Sequence, residues 1–445
     1  MPDAVPTGTV RRILANLVKL VGGKAGGAVI GLAYMLVAAR ALGPRDYGVL
    51  VLVHGFAMTV GGIVEFPGWH AIVRYGSEAL ARDQRHRLVR LLRFAALVEG
   101  VGGACAVVTA AVLGPLLGTR LGWSPVAVAF AIPYSLAVLA SIRATPAGYL
   151  QLMGRFDLLG IHNLIPPLIR LAGAGVALLL GAGLRGFLIA WLVAALAEWL
   201  AMWAMGLWVA RQHLSGLARD PAPATARQEN PGLLRFMIAA NAEVTLSELS
   251  DRLPALVIGW VLGPAAVGIY AIAQRATMVI AQPAQMLGRA AYAEFARLVA
   301  GGGRSGPLRR AVARCAGGAI AVAATGTAII AVFGTQIAIA LGGHGYEAAA
   351  GLMAVLAVAR TILVIVPPES AALMALGRPD LSVKGNVLVG VGLLPLLPLL
   401  LSRLGLGGAG WFALVQAGAL AALLTWLLWL NTRADPALAG AAVIA

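Results

Sequence analysis

Two apolar stretches of this chain carry far more charge than an apolar stretch tolerates, and any chemistry starts there. Within residues 232–261, Asn241, Thr245, Glu248 and Arg252 follow one another at helical spacing, on one stripe. Glu243, Ser247, Ser250 and Asp251 form a second polar face, and Pro254 follows, where it kinks a helix and frees backbone carbonyls. Within residues 265–290, Arg275, Gln282 and Arg289 recur on one face. Guanidinium forks suit phosphate oxygens, and buried carboxylates suit a proton or Na⁺, so the pattern fits anion binding with ion coupling. Glu248 and Arg252 are also spaced for an i,i+4 ion pair in the favourable order, which would serve helix packing alone. Two polar faces are more than one such pair requires.

A charge at mid-bilayer costs about 2.5–3.5 kcal/mol, so intramembrane charges face a cavity or a partner. On that ground Lys24, Arg143 and Arg360 join Arg252 and Arg275 as candidate cations of a binding surface. Asn241, Glu243, Glu248, Asp251 and Gln282 are the candidate coupling or cavity-lining groups. Glu65, Glu99, His162, Arg170, Glu198 and Glu369 are either cavity groups or inter-helix partners. Trp191, Trp199, Trp203 and Trp208 read as interfacial or lipid-facing anchors. No Ser/His/Asp triad, zinc-ligand cluster or phosphate-binding loop is visible, so no cofactor, metal or catalytic residue is expected. Cys105 and Cys315 read as reduced packing residues.

The elements that must position these groups follow from composition. The chain has 445 residues, 60% hydrophobic and only 12% charged, with mean hydropathy +0.87. A soluble domain carries about twice that charge. A bilayer core takes about 20 residues of helix, and twelve spans fit: 14–42, 47–68, 91–117, 123–145, 157–182, 186–210, 232–261, 265–290, 313–340, 347–374, 383–402 and 407–430. Frequent glycine and alanine, without strict alternation, favour packed helices over a β-barrel. The net charge of +16 reflects arginines gathered in the loops after even-numbered spans, among them Arg82, Arg155, Arg227, Arg304 and Arg378. Those loops are therefore cytoplasmic, with both termini, and a nucleic-acid partner is not implied. No loop is long enough to hold a catalytic domain, so the expectation is a transporter and not an enzyme.

The chain also repeats itself. Leu42-Gly43-Pro44 with Gly48 recurs as Leu262-Gly263-Pro264 with Gly268, and Gly154-Arg155-Phe156-Asp157 recurs as Gly377-Arg378-Pro379-Asp380. Two matches at nearly one offset predict two six-helix lobes, 1–210 and 232–445, joined by the linker 211–231.

The Leu42-to-Gly48 motif, the string Gly148 to Phe156, and Asp251-Arg252, Leu262-Gly263-Pro264, Tyr270 and Arg275 in the second half resemble the polysaccharide flippases of the multidrug/oligosaccharidyl-lipid/polysaccharide exporter superfamily. The resemblance implies an all-α integral membrane fold of about twelve transmembrane helices, with a central cationic cavity between the lobes. It also implies alternating access and flipping of polyprenyl-pyrophosphate-linked oligosaccharide across a bacterial inner membrane, for polysaccharide biosynthesis. Membrane lipids and the lipid-linked oligosaccharide are the implied partners, and a polysaccharide polymerase or assembly protein stays open. The alternative within the superfamily is an organic-cation antiporter coupled to H⁺ or Na⁺, which the acidic cluster of span 7 keeps in view.

Overall fold

Small residues line the inner faces of the helices and large apolar ones the outer faces, which is the arrangement a bilayer favours. In the third span the buried row runs Ala95, Glu99, Gly103, Ala106, Ala110, Gly114 and Gly118. Leu97, Val101, Val108, Val112 and Leu116 stand exposed on the opposite side. Cys105 is exposed with them, not packed inside as expected.

The computed structural model describes residues 7–64, 68–214, 225–302 and 305–433, and its elements are helical throughout those residues. α1 (Thr7–Val64) holds spans 1 and 2, parted at Gly43, where φ is 68° and Pro44 follows. The amphipathic α2 (Trp69–Ala81) leads to α3 (Arg85–Gly118), span 3. Span 4 is α4 (Pro125–Ala129), α5 (Ala131–Tyr134), a 3₁₀ stretch Ser135–Ser141 and α6 (Ala144–Leu152). Span 5 is α7 (Phe156–His162) with α8 (Ile165–Leu179), and span 6 is α9 (Gly183–Leu214). A one-turn α10 (Ala226–Glu229) precedes α11 (Leu233–Leu262), span 7, and α12 (Pro264–Ala300), span 8. α13 (Gly306–Gly342) is span 9, and α14 (Ala349–Leu363) with α15 (Val366–Ala375) is span 10. α16 (Pro379–Gly392) and α17 (Leu396–Leu404), bent by 45°, make span 11, and α18 (Gly407–Asn431) is span 12.

Eight helices among the described residues are long and apolar enough to cross a membrane, and α16–α17 makes a ninth. α1 counts once there for two spans, and the broken span 4 and the charged α11 complete the twelve. Spans 4, 5, 10 and 11 differ from the continuous helices expected. Proline sits at the start of the second piece in α8 and α15 and caps α17. There its missing N–H costs nothing and its fixed φ restarts a helix. The stretch 148–152, expected to follow span 4, is part of α6.

The internal repeat is written in the turns. Besides Gly183 and Gly232, positive φ occurs at Gly43, Asp83, Gly122, Gly154 and Gly181, and again at Gly263, Gly302, Gly343, Gly377 and Gly405. Each residue of the first set precedes its counterpart by between 219 (302 minus 83) and 224 (405 minus 181) positions. Left-handed backbone is uncommon and mostly glycine's, so five matched turns describe one six-helix trace used twice.

Contacts divide the chain into two compact units, Met1–Arg252 and Leu253–Ala445. The division falls inside α11 because its first half packs on the N-terminal unit. Phe236 stands edge-on to Tyr75 with ring centroids 6.0 Å apart, Leu233 and Met237 join Leu91 in one buried cluster, and Thr245 Oγ1 donates to Gly62 O at 3.1 Å. Just upstream, Arg87 Nε donates to Asn230 Oδ1 at 3.0 Å and Arg90 pairs with Glu229. The core of the C-terminal unit gathers Phe295, Leu308, Leu373, Val389 and Leu424 from α12, α13, α15, α16 and α18.

Candidate functional site

Two polar clusters form inside the N-terminal unit, each from residues far apart in sequence. The first grows from the break in span 4. At Arg143 the backbone leaves the helix, with φ −150° and ψ 10°, and α6 begins with backbone N–H groups that no preceding turn accepts. Glu99 from α3, 2% exposed, accepts from Ala144 N at 2.5 Å and Thr145 N at 2.8 Å. The carboxylate serves as a cap supplied by another helix. Trp203 Nε1 donates to the carbonyl of Ile142 at 2.9 Å. Arg143 pairs with Glu198 of α9, and His162 Nε2 donates to the carbonyl of Glu198 at 3.0 Å.

The second cluster lies around His54 in the second half of α1. Arg170 Nη2 of α8 donates to His54 Nε2 at 3.2 Å. Arginine stays protonated, so Nε2 is the acceptor, and this assigns the proton to Nδ1, which donates to Tyr134 Oη at 3.1 Å. The Arg170 guanidinium stands 4.3 Å from the Trp191 ring centroid, and the His54 ring meets the same indole edge-on at 4.5 Å. Trp191 Nε1 in turn donates to Tyr34 Oη. Tyr34, Tyr134 and Trp191 are all buried. Arg170 meets no carboxylate among the described residues, and its buried Nε has no partner. The result is an aromatic-walled cation position within an apolar unit, with guanidinium valence left over.

The structure distributes the expected site residues unevenly. Arg252 is half-buried on α11. Arg143 is tied to Glu198. Lys24 is exposed on α1 beside Gly23, where α1 so nearly touches α7 that an added Cβ would lie 2.1 Å from Gly160 O. Arg275 is half-buried and Gln282 exposed on α12; Arg360 is half-buried on α14, and Asp251 is exposed on α11. The side chains of Asn241, Glu243, Glu248 and Arg289, together with Glu65 and Arg304, lie outside the described residues. In the repeat motifs, Arg155 grips Asp157 through two hydrogen bonds of 3.1 and 3.0 Å. Arg378 lies 3.7 Å from Asp380, which also accepts from Lys384 Nζ at 3.2 Å.

His54, Tyr34 and Tyr134 were not singled out from the sequence. A histidine inside the apolar run 47–68 is the one signal that pointed there. Trp191 is not the lipid-facing anchor expected: it is 7% exposed and hydrogen-bonded. Trp203 also turns inward to the span 4 break. Trp208 is the one of the four that is half-exposed, with the Arg155 guanidinium 5.2 Å from its ring. The four tryptophans fall on different faces of α9, and apolar periodicity around an all-apolar helix does not report which face is which.

Comparison with known proteins fits this architecture. Inner membrane protein YghQ of Escherichia coli (strain K12) is 29% identical over 295 residues, covering 65% of this chain and 82% of YghQ. The solved structure of the lipid II flippase MurJ, in an inward closed conformation, aligns over 92% of this chain and 87% of its own, with TM-score 0.69 and 10% identity. An inward-facing multidrug resistance MATE family transporter of the MOP superfamily aligns over 96% of this chain and 99% of its own, with TM-score 0.63 and 15% identity. These neighbours share the fold, and they are named as transporters and a flippase, not as enzymes. A family model described as polysaccharide biosynthesis protein matches residues 13–298, more than half of the chain and the whole N-terminal unit from span 1 onward. With its twelve spans, its doubled six-helix trace and that match, this multi-pass membrane protein shares its fold with those solved structures and belongs to the polysaccharide biosynthesis protein family.

Proposed function

We propose that this transporter flips a polyprenyl-pyrophosphate-linked oligosaccharide from the cytoplasmic to the outer leaflet of a bacterial inner membrane, supplying polysaccharide biosynthesis. The observation that carries the reading is Arg170, a guanidinium inside the N-terminal unit that meets no carboxylate among the described residues and keeps a buried N–H without a partner. A cation left open in an apolar surrounding favours an anionic cargo and repels an organic cation. Pyrophosphate oxygens match the guanidinium fork, and the aromatic walls of Tyr34, Tyr134 and Trp191 keep the fork oriented.

Arg170 and Arg252 would hold the pyrophosphate head in this reading, with Lys24, Arg275 and Arg360 adding to the attracting field. Arg143, held by Glu198, positions span 4 instead. Asn241, Glu243, Glu248, Asp251 and Gln282 are assigned to ion coupling along spans 7 and 8. The bodies that alternate access are the six-helix lobes 1–210 and 232–445, with 211–231 as their cytoplasmic linker and both termini in the cytoplasm. A polysaccharide polymerase is the partner expected to consume the flipped unit.

The test is reconstitution in liposomes loaded with a labelled polyprenyl-pyrophosphate oligosaccharide. Label reaching the opposite leaflet, with at least a tenfold lower rate for Arg170→Ala and Arg252→Ala, supports the reading. Movement of an organic cation against a proton or Na⁺ gradient, with the lipid left in place, overturns it.

A further inference from the structure

The C-terminal unit carries a groove that the proposed transport does not use. It has a volume of about 1030 Å³ and opens between the start of α13, the break between α14 and α15, and the end of α18. Its chemistry changes in order with depth. At the rim, Arg309 and Arg310 extend from the first two turns of α13, both exposed. Arg310 Nε reaches only the Gly306 carbonyl, at 3.4 Å, and neither arginine meets a carboxylate among the described residues. The N-terminal end of α13, with Gly306 on the groove wall, lies at the same rim, and its positive dipole end adds to the attraction for an anion. Opposite stand Trp429, with the Arg433 guanidinium 3.4 Å from its ring centroid, and the half-exposed Trp426.

About one helical turn deeper, about 6 Å by helix rise, the floor is polar again. Glu369 is 3% exposed. Its Oε1 accepts from Thr425 Oγ1 at 2.6 Å, while its buried Oε2 has no partner. The remaining wall, including Val312, Ala316, Ile365 and Ala422, is apolar. Cation rim, aromatic collar and apolar wall follow the order of groups in a glycerophospholipid: phosphate, interface and acyl chain. Basic pockets between transmembrane helices bind anionic headgroups, and aromatic collars sit at headgroup level.

We propose that this groove is a binding site for an anionic phospholipid of the surrounding bilayer, with the phosphate on Arg309 and Arg310 and a chain along the apolar wall. The site is distinct from the cargo site and stands whether or not the cargo assignment holds.

Full-length protein, delipidated in detergent, is incubated with phosphatidylglycerol or with phosphatidylcholine of the same chains, and bound lipid is counted by native mass spectrometry. Phosphatidylglycerol should be retained at least tenfold over phosphatidylcholine. The doubly substituted Arg309→Ala/Arg310→Ala protein, altered only at exposed positions, should lose at least fivefold of that retention with an unchanged melting temperature in lipid-free detergent. Equal retention of the two lipids, or undiminished retention by the double variant, overturns the proposal. Displacement of bound phosphatidylglycerol by equimolar polyprenyl phosphate also overturns it, because the groove would then hold the carrier chain of the cargo.

Discussion

Two buried polar clusters in the N-terminal unit obey opposite rules. Around Arg143 the groups answer one another: Glu99 caps the broken helix, Glu198 takes the guanidinium, and Trp203 takes the freed carbonyl. Around His54 the charge is left open: Arg170 leans on a ring nitrogen and an indole face, and one of its buried N–H groups has no acceptor. Both clusters lie where an unanswered charge is costly. The unit closes one cluster and leaves the other open, and on the proposed reading that difference separates a structural device from a place for the cargo. Breaks in membrane helices persist only where their backbone groups are satisfied again, and the first cluster does that for span 4.

The comparison breaks most readily at Glu99. Glu99→Leu strands two buried backbone donors, at a cost of about 2–4 kcal/mol, so the detergent-solubilised protein should melt well below wild type. Glu99→Gln, whose amide oxygen still accepts, should recover part of the loss. Melting at the wild-type temperature for the leucine variant would remove the capping role.

Arg143→Ala should cost about 1–3 kcal/mol by leaving the mostly buried Glu198 carboxylate without its partner, and adding Glu198→Ala should restore most of it. Strict additivity in that double-mutant cycle would mean the two side chains do not interact.

Arg170→Leu tests the open cluster in the reverse sense. Its stability, read by denaturation in detergent, should stay within about 1 kcal/mol of wild type, since no carboxylate among the described residues is orphaned, while flipping falls at least tenfold, about 1.4 kcal/mol. A large loss of stability instead would place Arg170 with the closed cluster. Arg170→Lys should keep the charge and lose the fork and the stacking, giving an intermediate rate.

The repeat supplies a baseline outside both clusters. Gly154→Ala and Gly377→Ala each force an L-residue into left-handed backbone, for about 1–2 kcal/mol. The two losses should agree within a few tenths of a kcal/mol, as read by chemical denaturation. A one-sided effect would show that the two turns are equivalent in trace but not in load.

What the sequence by itself determined is local. An apolar run of some 20 residues commits to a span through its own transfer free energy, and a glycine after a helix commits to a left-handed turn through its missing Cβ. Twelve spans and the matched Gly43/Gly263 and Gly154/Gly377 turns were therefore legible, as was family membership through those same strings. The breaks in spans 5, 10 and 11 were half legible, since Pro166, Pro367 and Pro395 mark where the second pieces start, but not that the helix resumes across the same bilayer. The tertiary structure alone decided which charges are spent. Arg143 and Glu198 stand 55 positions apart and Arg170 and His54 116 apart, and no periodicity couples residues at such distances. Arg143 and Arg170 look alike as lone arginines in apolar runs. One meets a carboxylate and the other an imidazole and an indole, because the facing helices α9 and α1 happen to present Glu198 and His54 at those depths, and the Coulomb energy of a buried charge depends on its nearest neighbours in space and not on its neighbours in the chain.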